Sequence, residues 1–244
     1  VFSYLFSFNW HQITMNTAVS ALGQAFFTLA VGAGAMLTYG AYAPKTVSIP
    51  FSVFVIAVLD IIVALLSGLA IFPLVFHFHL TASAGPGLMF ITLPTAFANI
   101  TGGSIIAALF FILLLFAAWT SSINLAEPLV RVLIDKRKLS RRRAALLIGL
   151  VAWLLGIANL LSFNLWQQVQ FFHHTLFELN ANIATNVILP IGGLGYALFA
   201  GWILPKKITQ YEINSSLYPY WRFLIRYIAP AGILYVLLYG LFNS

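Results

Sequence analysis

The chain has 244 residues, of which 61% are hydrophobic and 7% are charged, and its mean hydropathy is +0.98. This composition excludes a soluble domain and indicates a polytopic membrane protein. The net charge of +7 comes without a soluble basic surface, so nucleic-acid binding is not indicated, and the absence of cysteine excludes disulfides, thiolate metal sites and thiol nucleophiles.

Six apolar stretches are long enough to cross a bilayer, which takes about 20 residues each. They run over roughly residues 18 to 43, 50 to 76, 103 to 133, 144 to 163, 183 to 204 and 218 to 242. The loops leave no room for a separate soluble domain, so residues 1–244 are predicted to form a single transmembrane region. Because the chain begins with Val1 and not with Met, we expect it to be a fragment whose beginning is missing.

The first predicted span contains GQAFFTLAVGAGAML, residues 23–37, with three glycines and four alanines. Each glycine in a helix interior costs about 1 kcal/mol relative to alanine. One interpretation is a helix broken in mid-membrane, whose two half-helix ends bind ions and carboxylates. The other is that small residues allow close packing of helices. A break exposed to lipid would leave backbone groups unpaired, so a break must line a cavity.

Polar groups lie at mid-span depth in the second and third predicted spans. The carboxylate of Asp60 costs about 2.5 to 3.5 kcal/mol at such a depth. Since no Lys or Arg of the chain lies at that depth, a cation from solution would satisfy it. Thr120, Ser121 and Ser122 either bond back to the preceding turn or, with a carbonyl group, form a cage of oxygen ligands for a hard cation.

Basic residues mark one side of the membrane. Six of the twelve lie in KRKLSRRR, residues 136–143, and the others are Lys45, Arg131, Lys206, Lys207, Arg222 and Arg226. Threading six spans through alternating sides places all twelve at one face, which the positive-inside rule assigns to the cytoplasm. The C-terminus is then outside.

The histidines are expected at the outer face, at positions 11, 77, 79, 173 and 174. The pairs HFH and HH do not favour a metal site, because residues adjacent or two apart do not share a helix face.

Three segments resemble the neurotransmitter:sodium symporters, especially the bacterial amino-acid transporters of the LeuT fold. They are ALGQAFFTLAVGAGAMLTYGAY, GLMFITLPTAFANITGG and AAWTSSINLAEPLVRVLIDKRKLSRR. The resemblance covers nearly the whole chain and corresponds to the sixth to eleventh helices of that family. It implies an all-α polytopic membrane protein of the bacterial inner membrane, made of the second inverted repeat of the LeuT fold plus one further helix. The first of its six helices would be broken in mid-membrane, and the first five helices of the family would be absent.

The resemblance also implies roles for individual residues. The substrate pocket would contain Phe27, Thr28, Ala30, Ala33, Ser121 and Leu125, with Phe27 as an aromatic lid. One sodium ion would be bound by Thr28 and Asp60, and a second by the carbonyl of Ala117 and the hydroxyls of Thr120 and Ser121. The cytoplasmic gate would contain Tyr42, Glu127 and Asp135. Arg131, one turn after Glu127, offers an alternative ion pair to that residue.

Two regions depart from the family's pattern. Ala30 and Ala33 replace a serine and a bulky residue, which predicts a larger and less polar pocket. Ala181 stands where many relatives carry an aspartate of the outer gate. Three nearby polar residues, Glu178, Asn180 and Asn182, are left unassigned.

The implied function is sodium-coupled symport of a neutral, large apolar or aromatic amino acid by alternating access, without covalent chemistry and therefore not as an enzyme. Sodium ions are the expected cofactor, with no organic cofactor. Chloride is not expected, because Asp60 supplies the negative charge that bound chloride supplies in relatives with Asn at that position. The expected partners are the amino acid, membrane lipid and the missing N-terminal half. The alternatives are an inactive truncated or split half of such a transporter and, less favoured, an ion channel or a structural membrane subunit.

Overall fold

Helices make up the fold in the computed structural model, which describes residues 2–7, 13–44, 46–80, 85–171, 174–213 and 216–243, with side chains up to residue 240. The twelve α-helices of this described part are α1 Phe2–Phe6, α2 Met15–Thr28, α3 Ala35–Tyr42, α4 Ile49–His77, α5 Leu93–Ala98, α6 Gly103–Arg137, α7 Arg141–Leu161, α8 Leu176–Ile183, α9 Leu189–Leu198, α10 Lys206–Ile213, α11 Tyr218–Phe223 and α12 Ala229–Asn243. An isolated bridge joins Phe171 and His174.

Five helical segments within the described ranges are long and apolar enough to cross a membrane. They are Ile49–His77, Gly103–Arg137, Arg141–Leu161, Leu176–Ile203 and Tyr218–Gly240. The fourth begins earlier than the predicted start at residue 183, because Thr175 caps α8 in a reciprocal capping box with Glu178. The stretch predicted as the first span holds two shorter helices, α2 and α3, with residues 29–34 between them.

Four five-residue π-helical segments interrupt or end the apolar helices, at Leu88–Thr92, Ala184–Ile188, Phe199–Ile203 and Leu224–Ile228. Each ends two residues before a proline, at positions 94, 190, 205 and 230. Proline has no N–H to donate, and its ring clashes with the carbonyl four residues earlier in an α-helix. A wider turn before the ring relieves this clash at Pro94, Pro190 and Pro230, which lie within helices, whereas Pro205 follows the end of its helix.

The chain divides into two units by its internal contacts. The first unit comprises Val1–Ile13 and Phe54–Ser122, and the second comprises Thr14–Val53 and Ile123–Ser244.

Aromatic contacts organise the first unit. The ring centroid of Tyr4 on α1 lies 5.1 Å from the centroids of both Phe72 and Phe76 on α4. The rings of Phe97 and Phe110 approach to 5.6 Å and join α5 to α6. Such tilted and edge-on pairs are worth about 0.5 to 1.5 kcal/mol each beyond their buried area.

The second unit has its core where α9 packs against α12. Leu189 and Ala197 of α9 and Ile233 and Val236 of α12 are all buried there. The candidate site residues of this unit lie on α2, α3 and the second half of α6.

Candidate functional site

The backbone between α2 and α3 adopts left-handed conformations at alternate residues. Ala30 has φ of 50°, Gly32 of 93° and Gly34 of 87°. Glycine adopts such angles without a steric penalty, whereas a residue with a Cβ pays about 1 to 2 kcal/mol. The spacing of the two glycines therefore matches a conformational requirement of this segment.

The same glycines allow the segment to approach α9 closely. A Cβ on Gly32 would meet the carbonyl oxygen of Leu189 and the backbone nitrogen of Gly193, and a Cβ on Gly192 would meet the carbonyl oxygen of Gly32. Close packing and an irregular backbone thus occur at the same residues. The glycines and alanines of this stretch were interpreted above as either a helix break or a close packing contact, and the structure shows both.

Helix α3 begins at this segment without a side-chain cap. Gly34 is its N-cap residue and provides no side-chain hydrogen bond to the first turn. The N–H groups of a first helical turn have no partner within the helix and carry the positive end of its dipole. The start of α3 therefore carries a partial positive charge.

Phe27 and Ala181 line one pocket of the second unit, with a volume of about 470 Å³. Phe27, which is 56% exposed, lies one residue before the end of α2, and Ala181 lies on α8. Gln24, Thr185 and Asn186 are among the polar residues that line the same pocket. The structure therefore brings together the predicted substrate lid and the predicted outer-gate position.

Two of the three polar residues near Ala181 make structural hydrogen bonds. Glu178 accepts a hydrogen bond from the backbone N–H of Thr175 at 2.9 Å and completes the cap of α8. The side-chain amide of Asn180 donates to the side-chain oxygen of Asn159 at 2.7 Å, which joins α8 to α7. Glu178 thus stabilises the start of α8, and Asn180 stabilises the contact between α8 and α7.

Glu127 on α6 is the centre of a polar cluster in the second unit. Arg141, the first residue of α7, donates two hydrogen bonds to the two carboxylate oxygens of Glu127, both at 2.8 Å. The hydroxyl of Tyr42 donates to the same carboxylate at 3.5 Å. The side chain of Glu127 is only 15% exposed, whereas that of Arg141 is 64% exposed. Paired bonds of this kind fix orientation as well as charge.

The predicted gate residues Tyr42, Glu127 and Asp135 all line one pocket of about 380 Å³. Asp135 pairs with Arg131 at 3.5 Å, and both side chains are more than 60% exposed. The alternative pair of Arg131 with Glu127 is therefore wrong. Arg141 was missed because its partner lies on another helix, and the available signal was its place in the basic segment 136–143.

The predicted sodium ligands of the first unit lie on α4 and α6. The hydroxyl of Thr120 donates to the carbonyls of Phe116 and Ala117, both at 3.0 Å, and Ser122 bonds to the carbonyl of Ala118 at 2.7 Å. The hydroxyls of Thr120 and Ser122 thus bond back to the preceding turn, as one interpretation expected. The hydrogen bond from the Thr120 hydroxyl to the Ala117 carbonyl also holds these two predicted ligand oxygens close together.

Other predicted site residues are placed individually. Asp60 is half-buried on α4, and Ser121 is exposed on α6, both in the first unit. Thr28 is exposed at the end of α2, and Leu125 is exposed on α6, both in the second unit. Ala33 is half-buried between α2 and α3.

The described residues contain no group of three or more His, Asp or Glu side chains placed to hold one metal ion. His11, His173 and Lys45 lie outside the described residues.

Comparison with known proteins identifies the family. The profile of the sodium:neurotransmitter symporter family matches residues 1–244. The uncharacterized sodium-dependent transporter YhdH of Bacillus subtilis (strain 168) is 35% identical over 93% of this chain and 52% of its own length. The bovine sodium-dependent dopamine transporter is 25% identical over 89% of this chain and 32% of its own length. The chain thus spans about half the length, or less, of these relatives.

A solved structure supports the same conclusion. MhsT in complex with L-phenylalanine matches with a TM-score of 0.89 and 38% identity, over 98% of this chain and 55% of that chain. The predicted all-α membrane fold of the LeuT type is confirmed by this match and by the membrane-length helices. The chain is an integral membrane protein that belongs to the sodium:neurotransmitter symporter family.

Proposed function

We propose that the complete protein couples sodium entry to the symport of a neutral, large apolar or aromatic amino acid by alternating access. The observation that carries this proposal is the irregular segment 29–34, with left-handed residues and the uncapped start of α3 beside it. Helices broken in this way form substrate and ion sites in secondary transporters. The sodium-dependent relatives and the phenylalanine bound to MhsT support both the coupling ion and the substrate class.

The substrate is proposed to lie against the irregular segment. Its carboxylate would face the positive end of α3, where backbone N–H groups favour an anion. Phe27, Thr28, Ser121 and Leu125 would surround the rest of the molecule. Ala30 and Ala33 have the smallest side chains that retain a Cβ, so they leave room for a large side chain on the substrate.

Two sodium ions are proposed. Thr28 and Asp60 would bind the first, and the carbonyl of Ala117 with the hydroxyls of Thr120 and Ser121 would bind the second. Oxygen atoms are the preferred ligands of hard cations. The 3.0 Å separation of the Ala117 and Thr120 oxygens suits two ligands of one small cation. Asp60 would replace chloride as the balancing charge.

The cluster of Tyr42, Glu127 and Arg141 is proposed to close the cytoplasmic side. Its bidentate ion pair joins α6 to α7, and Tyr42 adds the C-terminal end of α3. Because these contacts are few and polar, they can form and break as the site alternates between the two sides. In this orientation the basic segment 136–143 faces the cytoplasm of a bacterial cell, in accordance with the positive-inside rule.

The test is uptake by the complete protein in proteoliposomes, driven by a sodium gradient. Phenylalanine, tryptophan, tyrosine and leucine are expected to compete for uptake far better than glycine and alanine. Ala33→Phe is expected to shift this preference toward small substrates, since each lost methylene space is worth roughly 1 to 3 kcal/mol in such pockets.

The matched control is Ala152→Phe, at an exposed position of α7 away from the irregular segment. It is expected to leave the order of substrates unchanged. A preference for glycine in the unmodified protein would contradict the proposed substrate class. Uptake that needs no sodium, or a flux that does not saturate, would contradict symport itself.

A further inference from the structure

A basic pocket of about 370 Å³ lies in the second unit, where the membrane-length segment Leu176–Ile203 ends and Tyr218–Gly240 begins. Three of its lining residues are the cations Lys206, Arg222 and Arg226. The described residues form ion pairs elsewhere, but none of these pairs involves the three cations. Positive charge is therefore concentrated here without a carboxylate to balance it.

Arg222 is the buried member of this group, with 8% of its surface exposed. Its Nη1 atom donates to the hydroxyl oxygens of Tyr218 at 2.8 Å and Thr209 at 3.1 Å. Its Nε atom has no hydrogen-bond partner among the described residues. Burial of a cation is unfavourable unless a charge or further hydrogen bonds compensate it. The negative charge of an anion in the pocket would provide that compensation.

Arg226 is held in position by two other contacts. Its Nε atom donates to the carbonyl oxygen of Gly201 at 2.7 Å, and its guanidinium carbon lies 4.7 Å from the centre of the Trp202 ring. Because the hydrogen bond and the aromatic ring already hold the guanidinium group, it loses little further conformational entropy when it binds an anion. Lys206 is exposed and completes the basic lining from α10.

Tyr227 lines the pocket, and two more exposed aromatic residues, Trp202 and Tyr220, lie on the segment ends beside it. Trp202 is 53% exposed, Tyr220 70% and Tyr227 50%. Tryptophan and tyrosine concentrate where a membrane meets water, at the depth of the lipid headgroups. Two membrane-length segments also end at this level. The pocket is thus placed where the phosphates of lipid headgroups are the most abundant anions.

We infer that this pocket binds the phosphoryl group of an anionic phospholipid, with Lys206, Arg222 and Arg226 as its cationic partners. Basic pockets between membrane helices recognise anionic headgroups by the same chemistry. A phosphoryl oxygen accepts hydrogen bonds from guanidinium groups in the geometry that arginine favours. This inference does not depend on which solute the protein transports.

The experiment uses the fluorescence of Trp202 in the complete protein as a reporter. The purified protein is reconstituted in phosphatidylcholine bilayers that contain increasing fractions of brominated phosphatidylglycerol or brominated phosphatidylcholine. Quenching of Trp202 is obtained by subtracting the signal of a Trp202→Phe variant. We expect phosphatidylglycerol to quench Trp202 at a lower fraction than phosphatidylcholine does.

Lys206→Gln is expected to raise the fraction of phosphatidylglycerol needed for half-maximal quenching about fivefold, as expected for one headgroup-facing cation. Lys207→Gln removes a neighbouring cation of α10 that does not line the pocket, and it is expected to change nothing. Because both side chains are exposed, neither variant should impair folding.

Inorganic phosphate, compared with chloride at the same ionic strength, distinguishes a lipid from a free anion. We expect it to leave quenching by phosphatidylglycerol unchanged. Full displacement by inorganic phosphate would instead assign the pocket to a soluble phosphate and overturn the lipid assignment. Equal quenching by the two lipids, or equal losses in Lys206→Gln and Lys207→Gln, would overturn the site.

Discussion

Asp60 is the one carboxylate in the 29-residue helix α4, whose other residues are almost all apolar. If it supplies the fixed negative charge beside the first sodium ion, transport by the complete protein needs no chloride. Uptake is therefore expected to continue when chloride is replaced by gluconate. Asp60→Asn is expected to lower sodium affinity at least tenfold under the same conditions, because the neutral amide lacks the charge that attracts the cation.

Two outcomes would contradict this role of Asp60. A collapse of uptake by the unmodified protein in gluconate would show that chloride supplies the balancing charge. An Asp60→Asn variant with full sodium affinity in chloride-free buffer would show that Asp60 is not a sodium ligand. The same variants measured in chloride serve as the control for general damage.

Arg141 holds the proposed cytoplasmic gate through its bidentate bond to Glu127. Residues 1–244 contain no cysteine, so Thr38→Cys adds one reporter thiol inside the pocket that Glu127 lines, and labelling of the parent without this change is subtracted. Arg141→Ala is expected to increase the rate of thiol labelling at this cysteine several-fold. Arg141→Lys keeps the charge but not the paired bonds, so it should give an intermediate rate.

Arg142→Ala is the matched control, since Arg142 is a neighbouring exposed cation of the same helix. Its labelling rate should equal that of the parent. If Arg141→Ala also labels at the parent rate, the ion pair does not close this pocket.

The residues of this cluster show what sequence can and cannot predict at this scale. Tyr42, Glu127 and Asp135 were found through the family resemblance, and the structure places them around one pocket. Arg141 was not found, because a contact between two helices leaves no spacing pattern along the chain. The nearest basic residue at helical spacing, Arg131, was the wrong partner for Glu127.

The segment between α2 and α3 depends on Gly32 in two independent ways. Its φ of 93° is unfavourable for any residue with a Cβ, and that Cβ would meet the backbone of α9. Gly32→Ala is therefore expected to destabilise the protein by more than about 2 kcal/mol and to abolish uptake. Thermal unfolding of the purified complete protein measures the first effect.

Gly40→Ala is the control within α3, because a Cβ there meets open space. It should leave uptake intact and stabilise the helix by up to about 1 kcal/mol. Equal loss of stability in Gly32→Ala and Gly40→Ala would mean that the backbone conformation at Gly32 is not a specific requirement.

Hydropathy predicted the long helices well, since their apolar stretches are continuous. The starts of α6 and α11 agree with the predicted limits of 103 and 218. The start of α8 was placed too late, because its first turn carries polar residues that cap the helix and do not raise hydropathy. The π-helical segments were not predicted, although the prolines that follow them are visible in the sequence.

At the scale of the whole molecule, composition predicts a membrane protein, and the family resemblance predicts the LeuT fold. The long helices expose many apolar side chains, so hydropathy along the sequence, and not burial within the chain, identifies the membrane spans. The functional site is harder to predict, because its parts lie on helices far apart in sequence. The chain also spans only about half of the length, or less, of the relatives described above, and the proposed transport activity belongs to the complete protein.

The π-helical segments also affect how the molecule tolerates changes of chain length. Deleting one residue from a regular α-helix rotates everything after it by about 100° and shortens it by about 1.5 Å. A π turn holds one residue more than an α turn, so it can lose one residue and become α-helical without moving the rest of the span. Deletion of Val187 combined with Pro190→Ala is therefore expected to yield folded protein in the membrane. Deletion of Val151 from α7, which has no such turn, should reduce the folded yield sharply in size-exclusion chromatography. Equal yields of the two deletion variants would show that the π turn does not help the span to tolerate the loss of a residue.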